Sequence, residues 1–388
     1  MKIRLLPTPE QEILFRKSAG VARWAYNYYI SEKERVYQEY LANGKTDCKS
    51  ISEGTVRKYI NNVLKKTTHK WLKEVGSNVM KQAVKDADKA YQRYFGGISG
   101  KPKFKVRHKS KPSFYVNYES LKRMQNGFRG EKLGFVKTTR PLPKTKASEK
   151  YSNPRITHDG KYWYLSIAYE VPEQTCERSE KSLGIDVGVK KLAVCSDGKF
   201  YKNINKTKRV RQLEKRLKRE QRKLSRRLRN NTKGYDKQKK PIWIRPLREC
   251  KNIQKQNAVI RRLHKKLTDI RTNHIHQATS KIVQTKPSRI VMETLNISGM
   301  MKNKHLSKAL QQQKLYEFIR QMKYKSQFYG IPFIQADRFY PSSKTCSRCG
   351  HVKSDLKLSD RVYRCSACGF VLDRDLNASI NLANYQSA

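Results

Sequence analysis

LGIDVGVKKLA, residues 183–193, sets an aspartate inside an apolar run. The segment predicts a strand over Leu183–Val187, followed by a hairpin through Ser196-Asp197-Gly198. A carboxylate within such a strand is costly unless it is paired or bound to metal. Two further acids stand in comparable places. Glu293 lies at the tip of a second apolar strand, RIVMETL, and Asp375 at the start of a short helix in LDRDLNASINLA. Each acid alone could be a turn or cap residue. The ordered set, each member in its own local pattern, is what carries information.

Cys346-x-x-Cys349 and Cys365-x-x-Cys368, fifteen residues apart, have zinc-knuckle spacing. Gly350 and Gly369 each follow the second cysteine of a pair, where tight turns are needed. Four thiolates leave no open coordination position, so this zinc is expected to be structural. Cys48, Cys176, Cys195 and Cys250 are scattered singly, which suits a reducing compartment better than a disulfide framework. No Ser-His-Asp set, Walker motif or dinucleotide glycine motif is evident. His274 reads as a helix-face or packing residue.

Lys and Arg number 86 against 32 Asp and Glu, a formal net charge of +54. A chain so charged repels itself unless a polyanion neutralises it, and nucleic acid is the simplest such partner. No apolar run approaches the ~20 residues of a membrane span, and MKIRLLPTPEQ lacks the features of a signal peptide. The expected location is therefore the cytoplasm.

Residues 1–6 predict a strand. Thr8 then caps a helix with Pro9 at its first position, running to about Asn43-Gly44 with Leu14, Val21, Ala25 and Tyr28 on one face. Further helices are expected near 55–66 and from Ser77, the latter with Val79, Ala83, Ala87, Ala90 and Tyr94 on one side. Residues 98–176 read as a small antiparallel barrel or sheet. Its best strand is Tyr162–Val171, with Trp163, Leu165, Ile167, Tyr169 and Val171 alternating with polar neighbours. The basic run 101–111, with Lys103, Lys105 and Arg107 around Phe104, is expected to track a nucleic-acid backbone. Glu173–Lys181 reads as a linker. Two amphipathic helices, at 206–229 and 251–284, form a basic hairpin inserted in the last domain. The first carries thirteen Lys or Arg and two Glu, Arg216, Arg219, Arg226 and Arg227 among them.

The three acids match a RuvC (RNase H-like) centre, an architecture that gathers them at one end of a central sheet to hold two divalent ions roughly 4 Å apart. Hard oxygen ligands suit Mg²⁺ or Mn²⁺. GIDVGVKKLAVCSDG, VMETLNISGM, FYPSSKTCSRCG and CSACGFVLDRDLNASINLANY together resemble the transposon-encoded TnpB (OrfB) family, which is related to type V CRISPR effectors. LLPTPEQEILFRKSAGVARWAYNYYI and YEFIRQMKYKSQFYG fit the same family, so the resemblance spans nearly the whole chain, the 98–176 region least specifically.

The resemblance implies a multidomain α+β and α/β protein. Residues 1–6 and 98–180 would form a β-barrel wedge domain and 7–97 a helical recognition domain. Residues 181–388 would form a RuvC domain with an inserted basic hairpin and a zinc knuckle at 344–370. It implies an RNA-guided DNA endonuclease in a prokaryotic cytoplasm, a monomer whose partners are a guide RNA from the transposon end and a duplex DNA target with a short flanking motif. Carried onto this chain, the catalytic, Mg²⁺-binding acids are Asp186, Glu293 and Asp375, the last because it precedes L-N-A, whereas Asp373 does not. The place to look for readers of the flanking motif is the helix start at Ser77, Lys81 and Gln82, since Gln pairs with adenine and Lys with guanine in the major groove. A guided DNA-binding regulator without nuclease activity would lack the acid triad, which this sequence keeps. An accessory or strand-transferring transposition protein would need a centre of its own, such as a His pair with a Tyr.

Overall fold

The computed structural model describes residues 1–46, 50–107, 109–144, 151–171, 177–357 and 359–386. Cys48, Cys176, His108 and part of the 173–181 segment lie outside them. The chain divides into two units, Met1–Val171 and Pro172–Ala388.

In the first unit, β1 (Lys2–Leu6) leads into α1 (Pro9–Ala42), with Thr8 and Gln11 forming a reciprocal capping box. Then come α2 (Glu53–Tyr59), a π-turn over Ile60–Leu64 and α3 (Ser77–Phe95). The strands β2 (Ser113–Tyr115), β3 (Lys122–Met124), β4 (Gly127–Gly130), β5 (Gly134–Thr138), β6 (Ser152–His158) and β7 (Trp163–Ala168) follow. They form one antiparallel sheet in the order β2-β6-β7-β1-β5-β4-β3, so the N-terminal strand sits near its centre. Trp163, Leu165 and Ile167 are buried as their alternation requires. The strand ends at Ala168, and Val171 is exposed.

Sheet and helices share one core, in which the Phe15 ring meets Trp163 at 5.2 Å and Phe114 at 5.8 Å. α1 buries Val21 and Ala25 of the expected face, but this anchoring widens the stripe to Phe15, Ala22, Tyr26 and Tyr29, and Leu14 and Tyr28 are only partly buried. On α3, Val79, Ala83 and Ala87 are buried as expected, and only in the last turn does the stripe drift, with Tyr91 buried and Tyr94 exposed. The helix expected over 55–66 loses α-geometry at Ile60.

The second unit holds the quoted segment. β8 (Leu183–Val187), β9 (Lys191–Cys195) and β10 (Phe200–Lys202) form an antiparallel meander. α4 (Lys208–Asn230), a small hairpin of β11 (Thr232–Tyr235) and β12 (Pro241–Trp243), and α5 (Lys251–Val283) make the basic insertion. β13 (Ile290–Met292), α6 (Ile297–Met300), α7 (Lys304–Gln313), α8 (Leu315–Phe328) and β14 (Phe333–Gln335) follow. β13 joins β8, and β14 joins β13, both in parallel. Two of the zinc-spaced cysteines precede β15 (Val362–Arg364), two lie between it and β16 (Val371–Asp373), and α9 (Arg374–Ala383) comes last.

Residue parity divides the central strands. Leu183, Ile185 and Val187 of β8, with Ile290 and Met292 of β13, pack with α5 and α8 residues such as Ile275, Ile282, Phe318 and Met322. Val291 faces the other way and packs with Leu382 of α9. Gly184 shares that second face, because a side chain there would run into α9: its Cβ would lie 1.9 Å from the Ser379 carbonyl oxygen and 2.3 Å from the Ala383 nitrogen.

Candidate nuclease centre

The parallel register sets Ile290 beside Leu183 and Met292 beside Ile185. One residue further along, Asp186 and Glu293 stand at the same level. Strand alternation gives Asp186 the face of Gly184 and Glu293 the face of Val291, both toward α9. Asp375 enters from the first turn of α9, where the helix dipole favours an anion. The structure thus brings the three acids to one place. Asp373 caps the helix instead: its carboxylate accepts from the Asp375 and Leu376 N–H groups at 3.0 and 3.1 Å, and it lies 3.5 Å from Lys191 Nζ.

Burial, and then the charges of Glu293 and Asp375, raise the Asp186 carboxyl well above the usual carboxylate range. Glu293 is pushed up to about 7, mainly by burial and also by the Asp375 charge, against stabilising hydrogen bonds from Asp186 and the Val187 N–H. Acids so crowded hold a proton or require a cation. Hard oxygen donors of like charge suit a divalent metal, although among the described residues only the four cysteines have ligand atoms gathered closely enough to enclose an ion. Arg374, which sequence reading passed over, contributes positive charge: its Nη2 lies 3.6 Å from Asp375 Oδ1, and it opposes the rise at Asp186. Gly184 was missed as well, and its only trace in sequence is a glycine within an apolar strand.

The raised acids set a direction with pH. Their contribution to stability is full below the unfolded carboxylate range and is lost as pH rises through the folded values, near 7 for Glu293. In EDTA, the melting temperature should fall by a few degrees between pH 5 and 8. Mg²⁺ should restore more at pH 8 than at pH 6, and Asp186→Asn should flatten the slope. A profile flat in EDTA for the unaltered chain would contradict this reading.

The four cysteine Sγ atoms all lie within 4.8 Å of one another. Cys346 and Cys368 are 3.7 Å apart and Cys349 and Cys365 3.6 Å apart. Those separations are far beyond a disulfide's ~2.05 Å. They approach the ~3.8 Å between sulfurs of a tetrahedron with Zn–S bonds of ~2.3 Å. The Cys368 N–H holds the Cys365 thiol down to about 6. Gly350 and Gly369 adopt φ of +78° and +68°, the left-handed turns that each knuckle needs. The cluster could hold zinc. Purified chain should contain about one zinc by elemental analysis, and Cys349→Ser should lower folded yield before it touches chemistry. Stoichiometric disulfides without zinc would overturn this.

The remaining candidates separate into open and engaged groups. Arg216 and Arg219 line a groove of about 840 Å³ with Arg209, Lys218 and Lys266. Arg226 lines its neighbour with Arg222 and Arg229. Arg227 instead staples α4 to α5, donating to the Asn252 carbonyl at 2.8 Å and to Gln256 at 3.0 Å. Lys103 and Arg107 are exposed, but the Lys105 ammonium lies 3.5 Å over the Tyr26 ring, where desolvation lowers its pKa. Ser77 accepts from Lys65, Lys81 is half-buried, and Gln82 donates to Asp86, which Arg155 braces with two bonds. His274 bonds the Lys202 carbonyl.

Residues 1–41 match a family model described as "Helix-turn-helix domain", although here they fold as β1 and the long α1. Residues 166–304, which carry Asp186 and Glu293, match "Probable transposase". Residues 316–382, which carry Asp375 and the cysteines, match "Cas12f1-like, TNB domain". The chain is 26% identical to the Escherichia coli K12 protein named "Putative RNA-guided DNA endonuclease InsQ", over 98% of this chain and 90% of that one. It is 24% identical to the "TnpB-like protein L770" of Acanthamoeba polyphaga mimivirus, over 98% and 72%. Its fold resembles that of Cas12f1 in a complex with single-guide RNA and target DNA, with a TM-score of 0.56 at 15% identity over 97% of this chain and 83% of that one. No described helix is long and apolar enough to cross a membrane. Family matches run in chain order through the elements that bring the acids together, and relatives align along nearly its whole length, so the chain is similar to the TnpB (OrfB) family from end to end.

Proposed function

We propose that this protein is an RNA-guided DNA endonuclease that cuts at a single RuvC-type centre. The observation that carries the reading is the in-register pair Asp186 and Glu293 meeting Asp375 beneath α9, in a chain of net charge +54. The three carboxylates would hold two divalent ions, Mg²⁺ or Mn²⁺, which when bound supply Lewis-acid activation of water and charge neutralisation at the leaving oxygen. The chain's own part is to fix the three carboxylates at one sheet end and keep their proton affinity high until cations arrive. The four cysteines hold one structural zinc.

A guide RNA from the transposon end supplies sequence recognition by base pairing. Residues 1–6 with 98–180 act as the wedge, 7–97 as the recognition domain and 181–388 as the nuclease. Lys81 and Gln82 face the flanking motif, Gln82 with its amide nitrogen already given to Asp86. A guided regulator is the second reading, and the complete acid set disfavours it. The deciding experiment sequences the RNA that co-purifies with the chain and offers a matched duplex with Mg²⁺. Cleavage confined to matched DNA supports the proposal, and binding without cleavage supports the regulator.

Affinity for nucleic acid should fall steeply with salt through counterion release. Glu substitutions at Arg216, Arg219 and Arg226 should weaken binding with little change in sequence preference, whereas Arg227→Glu should also cost stability, since it breaks the α4–α5 staple. Affinity indifferent to salt would defeat the electrostatic argument.

A further inference from the structure

Asn377, two residues after Asp375, is fully buried and both ends of its amide are used. Its Nδ2 donates to the Thr345 carbonyl at 2.7 Å, and its Oδ1 accepts from the Ser347 N–H at 3.0 Å. Those two backbone groups flank Cys346. One turn on, buried Asn381 donates to the same Thr345 carbonyl and to that of Ser342, each at 2.7 Å. Helix interiors rarely bury asparagines, because an amide is costly to desolvate without partners. Here two do so on one helix face, and both grip the turn that presents a cysteine of the four-sulfur cluster.

The other side of Asp375 leads to the same cluster. Cys368 runs into β16, whose pairing with β15 sets Asp373 opposite Val362, and the Arg374 N–H donates to the Arg361 carbonyl at 2.9 Å. The first turn of α9 is thus bracketed: covalently through β16 before Asp375, and through the Asn377 clamp after it.

We propose that Asn377 is a positioning residue that fixes Asp375 through the four-cysteine knuckle, with Asn381 as its support. The knuckle then acts as a brace for the nuclease acids as well as a local fold. This rests on the reading of Asp375 as a metal-binding acid.

The test uses the full chain freed of nucleic acid in high salt, with Mn²⁺ binding read by electron paramagnetic resonance and zinc by elemental analysis. Asn377→Asp keeps the acceptor for Ser347 and loses the donor to Thr345. It should weaken Mn²⁺ binding about 10- to 100-fold, the usual scale for a group that orients a metal ligand. Zinc content and duplex affinity should be unchanged, and added Mg²⁺ should recover cleavage. Asn381→Ser, which leaves the Asn377 clamp intact, should shift Mn²⁺ affinity the same way by less, and it decides the question if Asn377→Asp fails to fold. Unaltered Mn²⁺ affinity in a zinc-replete variant overturns the proposal. Asp375→Ala run alongside separates the two levels: if it keeps full Mn²⁺ affinity and cleavage, the nuclease-centre reading has failed, not the clamp.

Discussion

Alanine at Asp186, Glu293 or Asp375 is expected to cut cleavage of a matched duplex by on the order of 10³-fold or more, with binding retained. The three acids come from β8, the end of β13 and the start of α9, so a shared role is a claim about tertiary structure. Each removed carboxylate deletes part of one charge-neutralising set. Because that set acts as a unit, double variants should be hardly worse than single ones. EDTA should abolish cleavage, and Mg²⁺ or Mn²⁺ should restore it. Asp373→Ala removes a helix cap, which costs about 1 kcal/mol of stability, and its effect on cleavage should be milder. On the proposed function, recognition would rest on base pairing and basic contacts elsewhere, so guided binding should survive. Full cleavage by Asp186→Ala or Asp375→Ala refutes the assignment, and joint loss of binding and cleavage indicates a folding defect.

Gly184→Ala should be nearly as damaging without touching an ionisable group. The added methyl would meet backbone atoms of α9, the Ser379 oxygen at 1.9 Å and the Ala383 nitrogen at 2.3 Å, and backbone cannot rotate aside. Either β8 or α9 must shift. A shift of α9 opens the packing of Leu382 on Val291 and Ala336 and carries Asp375 away from Asp186. Overpacking of this kind costs about 1–3 kcal/mol, and a displacement of ~1 Å at reacting groups can cost about 10²-fold in rate. Thermal melting, cleavage and guided binding should therefore show lowered stability, strongly lowered cleavage and near-normal affinity. A Gly184→Ala chain with unaltered melting and cleavage would show that α9 is not seated as described.

The acid strands, the cysteine spacing and the Thr8-Pro9 helix start were legible because each is a local pattern. An aspartate among Leu183, Ile185 and Val187 is anomalous before any neighbour is known. What could not be read depends on partners distant in sequence. The buried stripe of α1 is set by Phe15 against Trp163, and no helical period announces that contact. The place of β1 between β7 and β5 follows from pairings across most of the first unit. Lys105 and Arg227 look like their basic neighbours in sequence, and only the positions of Tyr26, Asn252 and Gln256 show that they are engaged by protein. Gly184 acquires meaning only when α9 lies on it.

The parallel pairing of β8 with β13 has a consequence in time. Those strands flank the entire α4–α5 insertion, and the helix that completes the acid set is made later still. Contacts so distant in sequence form slowly, after the local helices and hairpins. During synthesis, the basic hairpin emerges and can fold while Asp186 has neither Glu293 nor Asp375 beside it. On the proposed reading, a nascent or truncated chain lacking α9 would engage nucleic acid before it had any means of cutting it, and cutting competence would arrive last.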